Sequence, residues 1–170
     1  MPNSPSTLNY FQGSGNLYWT PDGGVERHVG NAVKFEVGVE LTTREHNERM
    51  TAARAVDRLF VTGQKATWSI ELEEITPENL ALAFLGEVTV NSGGNKVMAA
   101  LATTALRGKW RLNGTNDIGS KFEVVIPFAQ ITPTGTFDFL AEDQGVLALD
   151  GIGTGSPPFT TEELSEEATA

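Results

Sequence analysis

The chain has 170 residues, no cysteine and a formal net charge of −10, from 22 acidic and 12 basic side chains. That length supports one domain with a substantial core rather than two, and the lack of cysteine excludes disulfides, thiolate zinc sites and cysteine nucleophiles. Lys121 is the last basic residue and nine carboxylates follow it, so the body is near neutral, the C-terminal part is acidic, and neither has the clustered Lys and Arg that grip a phosphate backbone.

Residues 1–15 carry two prolines, polar side chains and the pair Gly13 and Gly15, and read as a mobile arm without the basic and apolar regions of a signal peptide. No apolar run approaches the roughly 20 residues that span a bilayer, so a soluble cytoplasmic protein is expected. Residues 16–20 form a short strand, Pro21 to Gly24 a turn, and Val25 to Val29 a second extended piece. From Ala32 to Thr42 the chain alternates, with Val33, Phe35, Val37, Val39 and Leu41 set against Lys34, Glu36, Gly38, Glu40 and Thr42, which predicts a half-buried strand.

Residues 43–58 break that pattern. They hold Arg44, Glu45, Glu48, Arg49, Arg54, Asp57 and Arg58 with little apolar periodicity, and read as a long charged loop. Loops longer than about 12–15 residues are uncommon in compact domains and are usually functional or disordered. A strand resumes at Leu59 to Thr62, and Gly63-Gln64 bends it.

The strongest local signals lie in residues 66–86. Ala66, Trp68, Ile70 and Leu72 alternate with Thr67, Ser69, Glu71 and Glu73, the signature of a strand with one buried and one wet face. A helix follows. Thr76 is placed to cap it, Pro77 fits its first position and Glu78 suits the positive end of its dipole. Gly86 is placed to end it in a left-handed conformation. Because Leu80 to Leu85 are all apolar, Leu80, Leu82, Phe84 and Leu85 are expected to pack on more than one side, with part of the cover coming from another subunit.

Val88 to Val90 is a strand and Asn91 to Asn95 a turn. Residues 96–106 stay open between helix, favoured by the alanines, and strand, favoured by Thr103 and Thr104. Strands are predicted at 106–113, 122–128, 136–140 and 146–149. Gly151 to Pro158 reads as a flexible linker, and residues 159–170 as a disordered acidic tail. The domain therefore spans 16–152, with residues 153–170 outside it. The fold class is mainly β, a sandwich or partial barrel with one short helix.

Catalytic patterns are weak. His28 and His46 lack metal-ligand spacing, and Ser14 and Ser156 do not sit between a strand and a helix as a nucleophile elbow requires. No helix follows Gly151, Gly153 and Gly155 to receive a pyrophosphate. Asn113 to Asp117 lacks the acidic spacing of a calcium loop. Glu71, Glu73 and Glu74 are explained more simply by a solvated strand face than by catalysis. Neither an enzyme nor a cofactor is expected.

The run Glu74-Ile-Thr-Pro-Glu-Asn-Leu-Ala-Leu-Ala-Phe-Leu-Gly86, with the strand from Trp68 before it, resembles the strand-to-helix segment of major tail tube proteins from phages with long, non-contractile tails. Gly13 to Trp19, Gly30 to Glu36, Leu106 to Gly114 and Ile126 to Gly135 resemble further pieces of that family in the same order, so the resemblance covers roughly residues 10–152. It implies a virion structural protein made in the host bacterium's cytoplasm, with hexameric rings stacked into a hollow tail tube. The tube would surround a tape measure protein, end at tail terminator and tail-tip proteins, and later pass DNA without specific binding or a membrane anchor. Strands 33–42 and 66–73 would line the lumen in an intersubunit barrel, with the helix outside and Glu36, Glu40, Glu71 and Glu73 facing the channel. Lys34 sits among those carboxylates and dilutes them. Residues 43–58 would stack the rings. A ring protein of a contractile tail, tailocin or secretion system is the nearest alternative, and a β-sandwich binding module on a virion surface a more distant one.

Overall fold

A computed structural model describes residues 10–47, 56–115, 120–133, 136–140 and 144–164. Ten strands and one helix follow in the order β1 (Gly15–Pro21), β2 (Arg27–His28), β3 (Ala32–Asn47), β4 (Val56–Leu72), α1 (Pro77–Ala83), β5 (Glu87–Val90), β6 (Lys96–Ala99), β7 (Leu106–Gly114), β8 (Lys121–Thr132), β9 (Leu147–Gly153) and β10 (Thr160–Leu164). The main sheet is antiparallel in the order β2-β1-β7-β8-β9-β4-β3. One edge of β8 is shared, with β9 on Ala129 to Thr132 and β10 on Lys121 to Val125. β5 and β6 form a separate hairpin. The fold is mainly β, a curled sheet that does not close into a barrel.

The tryptophans set the curl. Trp68 on β4 and Trp110 on β7 are three strands apart, about 14 Å along a flat sheet at the usual strand spacing. Their ring centroids are nevertheless 5.6 Å apart, and Trp19 stacks on Trp110 at 4.6 Å. The sheet folds over so that the three indoles meet, and Leu17, Ile70, Leu72, Ile126, Ile131, Leu147 and Leu149 are buried around them. Gly151 belongs to this core, not to a linker. A Cβ there would collide with the Trp68 ring and the Gln130 carbonyl, so only glycine lets β9 pass over the indole.

The helix starts as its sequence predicts. Thr76 Oγ1 accepts from Asn79 N–H at 3.2 Å, and Pro77 occupies the first position. Its end differs. Leu85, not Gly86, takes the left-handed conformation (φ 48°), and Gly86 N–H donates to the Ala81 carbonyl at 2.7 Å, the six-to-one bond of a Schellman cap. Gly86 is required for space, since a Cβ there would lie 2.7 Å from the Ala99 carbonyl. The cover for the apolar helix is also internal. α1 lies between the main sheet and the β5–β6 hairpin, which buries Leu82 and Leu85 and half-buries Leu80 and Phe84. These four residues need no second subunit.

Several boundaries move. The region 96–106 resolves as strand β6, then a turn, then β7. Residues 136–140 are not a strand, although Phe137 packs on the core. Thr160 to Leu164 forms β10 within the domain, not a tail, and residues 165–170 of the expected acidic tail lie outside the described residues. Residues 1–9 of the predicted arm also lie outside it. The pair Phe11 and Phe122, with centroids 6.1 Å apart, holds the end of that arm to β8.

Asn79 is the buried polar residue that ties the helix to the sheet edge. Its amide donates to the carbonyls of Val29 and Glu74, both at 2.8 Å, and its oxygen accepts from the Arg27 guanidinium at 2.8 Å. Replacing it by alanine orphans both carbonyls and leaves the half-buried Arg27 with the Glu78 carbonyl, 3.2 Å away. We expect Asn79→Ala to lower unfolding free energy by about 2 kcal/mol, seen as a lower urea midpoint at unchanged slope.

Candidate assembly surface

Strands β3 and β4 pair from Ala32↔Leu72 outward to Asn47↔Val56. The rest of the sheet supports only the inner part, because β9 pairs β4 over Ala66 to Leu72 alone. Beyond Gly38 on β3 and Ala66 on β4 the two strands project as a ribbon. The predicted loop at 43–58 is therefore corrected: Arg44 and Glu45 lie on β3 and Asp57 and Arg58 on β4, while Glu48, Arg49 and Arg54 lie outside the described residues. The irregularity expected at Gly63-Gln64 falls one residue earlier. Thr42 faces Gly63 and Thr43 faces Val61, so Thr62 is an extra residue, a bulge.

Each face of the ribbon has its own chemistry. On the core-facing side, the pairs Phe35–Ile70 and Val37–Trp68 continue outward as Val39–Ala66 and Leu41–Gln64. The bulge reverses the phase of β4, so Val61 and Leu59 join this face opposite Thr43 and Glu45. Val39, Leu41, Leu59 and Val61 are 69, 58, 61 and 60% exposed, a stripe of core-type side chains that none of the described residues covers.

The other face is polar. Glu36, Glu40 and Glu71 lie on it together, as predicted, and Glu73 follows just past the end of β4, where it accepts a hydrogen bond from the Asn31 amide. Lys34 sits between Glu36 at 2.9 Å and Glu71 at 3.6 Å, and Lys65 pairs with Glu40 at 3.1 Å. The hydrogen bond to Glu36 lifts the Lys34 ammonium above its ordinary range. Lys65 is the residue that sequence reasoning missed. Its pairing opposite Glu40 needed the register, although its polar place in the alternation was readable. These pairs are exposed and water-screened, and add little stability. Nearer the tip the same face bears Arg44 opposite Phe60 and His46 opposite Arg58. His46 Nδ1 is 2.7 Å from Asp57, and the Arg58 guanidinium lies 5.5 Å from the Phe60 ring centre.

The edges of the ribbon are open as well. Among the described residues nothing pairs with the outer edge of β3, nor with β4 from Val56 to Lys65. Such edges are templates for strand addition, and this one is long and free of proline. No group of His, Asp or Glu among the described residues is arranged to hold a metal.

Residues 10–116, which include the whole ribbon, match the model of a family described as Protein of unknown function UCP028589. The chain belongs to that family. No curated protein matches it. The family match ends just after β7, so β1 to β7, the helix and the ribbon are its shared part, and β8 to β10 complete the sheet beyond it.

Because the outer ribbon contributes nothing to the core, replacing residues 43–61 by an Asn-Gly turn should leave the domain folded. We expect the urea midpoint to report a stability within about 1 kcal/mol of the intact chain. A larger loss would mean that the ribbon packs on its own domain in solution.

Proposed function

We propose that the protein is a structural subunit that assembles with copies of itself into stacked rings, forming the hollow tail tube of a phage with a long, non-contractile tail. The observation that carries this reading is the ribbon, which has two unpaired edges and an uncovered apolar stripe in a domain that is otherwise well packed. A two-stranded ribbon is marginal by itself in water. Pairing the β3 edge of one copy with the β4 edge of the next satisfies both edges and repeats in one direction. Such heterologous contacts close into a ring when the rotation allows, and a second contact stacks the rings.

In this arrangement the apolar stripe points away from the channel and the polar face lines it. Over the inner part of that face four carboxylates, Glu36, Glu40, Glu71 and Glu73, outnumber Lys34 and Lys65, so the wall there is acidic and repels a passing duplex, while Arg44 and Arg58 lie beyond it near the tip. The ribbon tip, with Arg44, Glu45, Asp57 and Arg58, reaches the next ring. Six subunits per ring, a tape measure protein in the channel and terminator and tip proteins at the ends complete the proposed tail, with the helix on the outside.

Electron microscopy of the purified protein across a concentration series tests the reading. Hollow rods of uniform width are expected. Compact single particles at every concentration, with or without a seeding complex, would refute it. Reversing two wall charges, Glu36→Lys with Glu40→Lys, should leave rods that form but now retain duplex DNA in co-sedimentation at low salt, where native rods retain none.

A further inference from the structure

A groove of about 540 Å³ opens between the inner part of β3 and the β7–β8–β10 side of the curled sheet. Phe35 and Val37 on β3, Val124 on β8, and Phe159 and Thr161 at β10 line it, and Lys34 is the one charged side chain among the lining residues. We infer that this groove is the receptor for the apolar stripe of a second copy's ribbon, with Leu59 and Val61 entering it. The inference rests on the assembly reading above and names the surface that receives the ribbon.

Two observations select a second copy as the occupant. Phe35 and Val37 lie on the same face of β3 as Val39 and Leu41, so the apolar surface runs on without a break from the groove, where these two are half-buried against the core, to the exposed stripe. The groove takes its β3 lining from residues 32–37, whereas the stripe begins at Val39 and runs to the tip. A copy seated in one therefore leaves its own counterpart open, and the contact propagates head to tail instead of saturating in a pair.

Both surfaces can be blocked at exposed positions without touching the core. Leu59→Asp with Val61→Asp disables the ribbon, and Thr161→Trp, on an exposed edge strand, fills the groove. The wild-type chain is expected to grow into rods, while each variant stops at its smallest species in analytical ultracentrifugation. Mixing the two equilibrated variants should double the mass of that species and go no further, because the one contact that forms leaves a dead ribbon at one end and a dead groove at the other. Wild-type-like rods from Thr161→Trp would overturn the groove while leaving the assembly reading intact. If those rods also expose residues 1–9 to protease where wild-type rods protect them, the chain's own N-terminal segment fills the groove. An unchanged mass on mixing would also overturn the inference. A wild-type chain that never assembles would overturn both readings.

Discussion

The contact among Trp19, Trp68 and Trp110 is the constraint from which the rest of the structure follows. Each indole buries on the order of 200 Å², and bringing β4 against β7 across three strands forces the sheet to curl. The indole N–H groups of Trp68 and Trp110 have no protein partner in the core. An unmade hydrogen bond costs about 1–3 kcal/mol, so these residues are kept for ring volume and shape. Where the curl brings strands too close, glycine is the only residue that fits, as at Gly151 beneath Trp68. The stack also fixes where the core stops. Trp68 is the outermost large side chain on β4 that it covers, Ala66 closes the packing, and every residue of β4 beyond it except Gly63 is exposed.

That boundary leaves the ribbon with core-like composition and no core. Val39, Leu41, Leu59 and Val61 would suit a buried strand, and Glu36, Glu40, Lys34 and Lys65 suit the solvated side of one. The Thr62 bulge puts Leu59 and Val61 on the face of Val39 and Leu41 and leaves Phe60 on the charged face. Without it Leu59 and Val61 would turn to the charged face, and Phe60 alone would join the stripe. A bulge that aligns a stripe covered by none of the described residues makes sense when the stripe meets another surface.

The readable parts of the sequence were those governed by one local rule. Alternation at 33–41 and 66–72 gave two inner strands, and Thr76-Pro77-Glu78 gave the start of the helix. The failures share another cause. Residues 43–47 and 56–58 look irregular because both ribbon faces are exposed, so no apolar period marks them, and a bulge shifts the phase of one strand. Thr160 to Leu164 looks like a tail because an edge strand held by backbone bonds to β8 needs no apolar side chains. The end of the helix was misplaced because the tight space at Gly86 is created by Ala99 and Met98, distant in sequence. Of the hairpin that covers the helix only the first strand and the turn were legible, and its place over the helix was not, which made a subunit interface appear necessary there. The alternation put Glu36, Glu40, Glu71 and Glu73 on one face, but only the register shows that Lys34 bridges two carboxylates and Lys65 offsets a third.

Charge and apolar surface then act at different ranges. A net charge of −10 on a domain of this size repels other copies before they touch, but only over about 8 Å at physiological ionic strength. The stripe and the open strand edges act at contact distance, and their gain is realised only when a second surface excludes water from both. A single contact on a partly screened acidic particle gains little over that repulsion, whereas in the proposed tube a subunit added to a ring and a ring below it would make several contacts for one loss of rotational and translational freedom. In that proposal the same side chains leave dilute copies apart and hold the wall together, without any change in the fold of the domain itself.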